Sequence, residues 1–105
     1  MARIFVCQDS ALPEGEGIKL DTPTIPIAVF KLKGELHALS DRCSHGNASM
    51  STGFVDDDGS VECPLHAARF CLKTGAALCQ PATEPLRTFV ATRVEGAIYV
   101  DVPDA

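Results

Sequence analysis

Four side chains of the kinds that bind transition metals stand in two short pairs, Cys43-Ser44-His45 and Cys63-Pro64-Leu65-His66. Thiolate sulfur and imidazole nitrogen are favoured donors for zinc, copper and iron. The close Cys–His spacing lets one loop offer two ligands to one centre. Seventeen residues separate the pairs, enough for a strand, a turn at Asp58-Gly59 and a returning strand that brings the second pair beside the first. Four such ligands suit tetrahedral zinc, but zinc fingers usually group Cys with Cys and His with His. Here each loop gives one of each. A two-iron cluster, with two Cys on one iron and two His on the other, accounts for the mixed pairs better. On spacing alone, zinc and a plain pairing of buried cysteines with surface histidines stay open.

The elements that must position these pairs read as short strands joined by turns. Apolar alternation and β-branched residues predict strands at Arg3–Cys7, Gly17–Leu20, Ile25–Leu32, Leu36–Ser40, Val61–Cys63, Arg69–Leu72, Leu86–Val94 and Ala97–Val102. Lys33-Gly34-Glu35, Asp57-Asp58-Gly59-Ser60, Lys73-Thr74-Gly75 and Glu95-Gly96 sit between them as turns do. Helix is expected only as a single turn within Asn47–Ser51. The fold class expected is therefore all-β, an antiparallel sandwich or barrel base. The turn-rich stretch from about 41 to 84, which holds both pairs, forms a smaller metal-binding lobe inserted in that base.

The 105 residues make one domain, 46% hydrophobic, and at this size a metal centre would add usefully to stability. The start MARIFVCQDSALPEG lacks the basic and apolar segments of a signal peptide, and no apolar run is long enough for a bilayer. A cytoplasmic protein is the expectation. Five cysteines are an odd number, which in a reducing compartment makes a disulfide framework the weaker reading. The net charge of −5 argues against nucleic acid, which selects clustered Lys and Arg. That acidity, with its run Asp56-Asp57-Asp58, fits either simple solubility or a basic docking surface on a partner.

The pattern C-x-H-x17-C-x-x-H resembles the Rieske signature, and CSHG and CPLH match it directly. PEGE, KLKGELHAL and CLKTG extend the likeness over nearly the whole chain, which resembles the ferredoxin components of bacterial aromatic-ring-hydroxylating dioxygenases. The resemblance implies one Rieske-type [2Fe-2S] cluster, with Cys43 and Cys63 on the inner iron and His45 and His66 on the outer. It implies a monomeric one-electron carrier with two partners, an NADH-dependent flavoprotein reductase and a terminal dioxygenase. Gln80-Pro81-Ala82 resembles the proline loop that covers the cluster. Gly46, Ala67 and Ala68 leave room for backbone amides near sulfur. High-potential relatives resemble CTHLGC paired with CPCHGS-x-Y, and this chain has Ala48 and Leu65 in place of the disulfide cysteines. Ala68 and Phe70 replace the Ser and Tyr whose hydroxyls bond sulfur, so the resemblance implies a low potential.

The other cysteines, Cys7, Cys71 and Cys79, match no ligand position and read as small buried hydrophobes. A Cys71–Cys79 disulfide is disfavoured by the compartment. His37 alternates with apolar neighbours as a half-exposed strand residue, not a third metal histidine. The chain shows no nucleophile–base pair, phosphate-cradling glycine motif or flavin fingerprint, so it is expected to carry electrons and not to catalyse. Two rivals are a structural zinc module and the Rieske-type small subunit of a nitrite reductase-like system.

Overall fold

The computed structural model describes residues 2–43, 48–64, 68–78 and 84–102. Among the described residues nine strands carry the fold: β1 (Ala2–Gln8), β2 (Gly17–Leu20), β3 (Ile27–Leu32), β4 (Glu35–Ser40), β5 (Phe54–Asp56), β6 (Ser60–Glu62), β7 (Arg69–Cys71), β8 (Thr88–Val94) and β9 (Ala97–Val102). Six of them form a curled sheet in the order β1-β9-β8-β4-β3-β2, and β5-β6-β7 form a second, smaller sheet. Every strand pairing is antiparallel.

Turn chemistry sets the register of the large sheet. Lys33 and Gly34, like Glu95 and Gly96, all have positive φ, the conformation whose twist matches that of the flanking strands in tight hairpins. Leu32 therefore lies opposite Glu35, and Val94 opposite Ala97. The Glu14 carboxylate reaches across to the first of these turns, accepting from the backbone N–H groups of Lys33 and Gly34.

Strand β3 explains the layering. Its run IAVFKL is buried on both faces, because side chains along a strand alternate sides. Ile27 and Val29 enter one apolar cluster with Leu12, Ala38, Ile98, Val100 and Val102. Ala28, Phe30 and Leu32 enter another with Leu39, Met50, Val61, Phe70 and Leu72. The second cluster glues the small sheet to the large one.

The eight expected strands are present, shifted by up to two residues at their ends. One further strand, Phe54–Asp56, supplies the outgoing limb that the gap between the two pairs requires. One helical turn falls at Met50–Thr52, ending one residue beyond the Asn47–Ser51 expectation, of which Asn47 lies outside the described residues. The Met50 N–H donates to the Asp41 carbonyl at 2.6 Å, and Met50 is fully buried. A second such turn, at Asp9–Ala11, has no counterpart in the sequence reading. Cys7 and Cys71 are only partly buried, a correction to their reading as core residues. In β7 it is Phe70 that points inward, so Cys71 takes the opposite face.

Candidate metal centre

Each metal-type cysteine opens a loop of the same construction. The Cys43 N–H donates to the Ala48 carbonyl at 3.0 Å, and the Cys63 N–H donates to the Ala68 carbonyl at 2.6 Å. Just outside these bonds, Arg42 bridges Ser49 and Glu62 pairs with Arg69. Each six-residue segment is thus closed by a backbone bond between a Cys at its entry and an Ala at its exit. His45 and His66 lie between those ends in sequence but outside the described residues, as do Gly46, Leu65, Ala67, Cys79 and Gln80-Pro81-Ala82.

The two sulfur-bearing residues are brought together in depth. Cys43 is 2% exposed and Cys63 1%, and both belong to the apolar cluster between the sheets. Ala68 and Phe70 are fully buried in the same cluster and Ala48 nearly so. Beyond Cys63 the chain emerges at exposed Pro64 and has returned to the interior by Ala68. This donor set fits a two-iron cluster: soft sulfur at the apolar, buried end of each loop, with the later loop positions left for imidazole.

The loops differ in what holds them. The second is the tip of the β6–β7 hairpin, with Ser60↔Cys71, Val61↔Phe70 and Glu62↔Arg69 in register. Arg69 also reaches Asp56 on β5 at 2.6 Å, which raises the pKa of its guanidinium. Asp58 shapes the turn between β5 and β6, accepting from the Ser60 N–H and hydroxyl. Those bonds lower the pKa of its carboxyl. The acidic run is therefore partly turn and pairing chemistry. Behind the first loop, among the described residues, stand the Arg42–Ser49 bridge and the bond from the Met50 N–H to the Asp41 carbonyl, supplemented by a buried carboxylate. Asp41, 3% exposed, accepts from the Ser49 hydroxyl at 2.7 Å and from the Ser51 N–H at 2.9 Å. Sequence reading passed over Asp41, because a carboxylate in the run Ser40-Asp41-Arg42, just after a strand, reads as a turn residue facing solvent.

His37 stands apart on β4, paired with Phe30. Burial lowers its pKa against the opposing pull of Glu35, with Lys73 reinforcing the drop, so the ring is neutral at pH 7. No helix is long and apolar enough to cross a membrane among the described residues.

The family model described as Rieske [2Fe-2S] domain matches residues 2–90. The 3-phenylpropionate/cinnamic acid dioxygenase ferredoxin subunit of Escherichia coli (strain K12) is 55% identical over 105 residues, covering 100% of this chain and 98% of that protein. A chain in the complex of reduced oxygenase and oxidized ferredoxin in carbazole 1,9a-dioxygenase superposes with a TM-score of 0.88 at 33% identity, covering 93% of this chain and 91% of that one. The ferredoxin of carbazole 1,9a-dioxygenase from Nocardioides aromaticivorans IC177 gives 0.90 at 27% identity, covering 95% and 97%.

Proposed function

The chain belongs to the Rieske [2Fe-2S] domain family, and from that membership we propose that it is the electron-carrying ferredoxin of an aromatic-ring dioxygenase system. It would receive single electrons from an NADH-dependent flavoprotein reductase and deliver them to a terminal oxygenase, acting as a cytoplasmic monomer. The full-length likeness to a dioxygenase ferredoxin subunit supports this over a nitrite reductase-like role. The observation that carries it in the structure is the pair of matching loops, each anchored by a buried cysteine.

In this reading residues 41–84 form the cluster-binding lobe, Cys43 and Cys63 hold the inner iron, and His45 and His66 hold the outer one. When bound, the cluster supplies one reversibly exchanged electron. The protein supplies the rest. The apolar cluster keeps water from the cysteine end, while the histidine end of each loop is left for contact with partners. Ala68 and Phe70 bring no hydroxyl to the second loop, so donors that would favour the more negative, reduced state are missing there. Rieske potentials span about −150 to +300 mV, and this chain belongs near the low end.

Reconstitution tests the reading. NADH consumption by purified reductase and oxygenase, offered an aromatic acid, should depend on this protein and stop with His66→Ala. Consumption that proceeds equally without the protein would contradict the carrier role.

A further inference from the structure

We propose that Asp41 is a positioning residue for the cluster, holding the returning limb of the first loop, at Ser49 and Ser51, against the entering limb that carries Cys43. The inference rests on the assignment of Cys43 and His45 as ligands. The second loop closes a hairpin with several residue pairs in register behind its tip. Behind the first loop there is one isolated bridge, Arg42 to Ser49, and the chain beyond it turns into a short helical turn at Met50–Thr52. Among the described residues that is a shorter ladder than the three pairs Ser60↔Cys71, Val61↔Phe70 and Glu62↔Arg69 behind the second loop.

Asp41 fills that gap from the entering limb. One carboxylate oxygen takes the Ser49 hydroxyl at 2.7 Å, and the other takes the Ser51 N–H at 2.9 Å. Its own carbonyl receives the Met50 N–H at 2.6 Å, and its N–H donates at 3.0 Å to the carbonyl of Pro26, the residue just before β3. Ser49 and Ser51 share a further hydroxyl contact at 2.9 Å. One residue therefore ties the returning limb, at Ser49, Met50 and Ser51, to the chain that leads into β3. With 3% exposure, the side chain cannot trade these partners for water. A buried carboxylate is retained only where its oxygens are occupied.

Neutral groups can fill the same pattern, which gives the test its leverage. In Asp41→Asn the amide oxygen still accepts from the Ser51 N–H, while the amide nitrogen donates to the Ser49 hydroxyl. That hydroxyl in turn donates to Ser51. In Asp41→Ala both bonds are gone. Release of the cluster from the intact protein is followed by loss of visible absorbance under an iron chelator, beside the thermal midpoint. Val100→Ala, in the apolar cluster that contains neither cysteine, matches the loss of stability without touching the loop.

Asp41→Ala is expected to release its cluster on the order of tenfold faster than wild type. Val100→Ala should release at the wild-type rate despite a similar fall in melting temperature, and Asp41→Asn should return to within a few-fold of wild type. If Asp41→Ala does not fold, Ser49→Ala removes one arm and should speed release several-fold. Equal release from the alanine variants at positions 41 and 100, release from Asp41→Asn as fast as from Asp41→Ala, or an unchanged rate in Ser49→Ala would overturn the proposal. A wild-type protein that binds no iron or sulfide would instead overturn the ligand assignment beneath it.

Discussion

Replacing Gly53 by alanine should loosen the second cysteine without altering any ligand. Gly53 has φ −74° and ψ 167°, an extended conformation open to every residue, so the backbone itself does not demand glycine. Space does. A methyl group there would lie 2.3 Å from the Glu62 carbonyl oxygen, 3.0 Å from that of Met50 and 3.2 Å from a Val61 methyl. Ordinary contact requires the Glu62 oxygen to retreat by about 1 Å, and Glu62 is bonded directly to Cys63. Overfilling a packed site costs about 1–3 kcal/mol. The lower chain entropy of an unfolded alanine variant returns about 0.4–1 kcal/mol, leaving a net loss of roughly 1–2 kcal/mol. For a domain of this size that corresponds to a melting temperature lower by about 5–15 °C. Calorimetry gives the stability, and iron per chain gives the state of the site, since a shift of this size at a ligand spoils geometry that must hold to about 0.5 Å. A Gly53→Ala protein with a wild-type melting temperature and full iron would refute the reasoning.

Other consequences follow from single contacts. Glu14 has its carboxyl pKa lowered by the N–H groups of Lys33 and Gly34, so its stabilisation is complete above the unfolded pKa and fades as pH falls through the folded one. Glu14→Gln should melt lower than wild type at pH 7, and the gap should close below the usual carboxylate range; a gap that widens in acid would count against this. The Cys71 thiol has its pKa lowered chiefly by the Thr74 hydroxyl, while burial raises that of Cys7. Mass spectrometry after brief alkylation at neutral pH should find Cys71 modified ahead of Cys7, thiolate being the reactive form. Ala68→Ser restores a hydroxyl beside the second loop and should raise the midpoint by about 40–90 mV, the equivalent of one hydrogen bond of about 1–2 kcal/mol made better to the reduced state. A midpoint unmoved or lowered in protein film voltammetry would show that the hydroxyl misses sulfur.

Much of this was legible in the sequence because its cues are local. Glycine beside a polar residue marks the hairpins at Gly34 and Gly96, and the apolar run Ile25–Leu32 marks a strand. The alternation of Cys and His within each pair pointed to two irons, and the spacing between pairs demanded a returning hairpin. What escaped depends on contacts distant in sequence or on direction. Phe54-Val55-Asp56 is too short and too close to the acidic turn to read as a strand alone, and it becomes one by pairing with β6. Asp41 looks exposed until Ser49 and Ser51 fold over it. Cys71 sits in an apolar run, yet strand alternation sends Phe70 inward and leaves the thiol partly in solvent. The need for glycine at position 53 comes from the Glu62 carbonyl pressed against it, which no pattern of neighbours announces.

The proposed centre has two irons held differently, one by Cys43 and Cys63 and one by His45 and His66. Mössbauer spectroscopy of the oxidised protein, grown on enriched iron, reads both sites at once. The account predicts two distinct iron environments in equal amounts, accompanied by an equal quantity of acid-labile sulfide. A single iron environment, or a colourless protein holding zinc in place of iron, would contradict it.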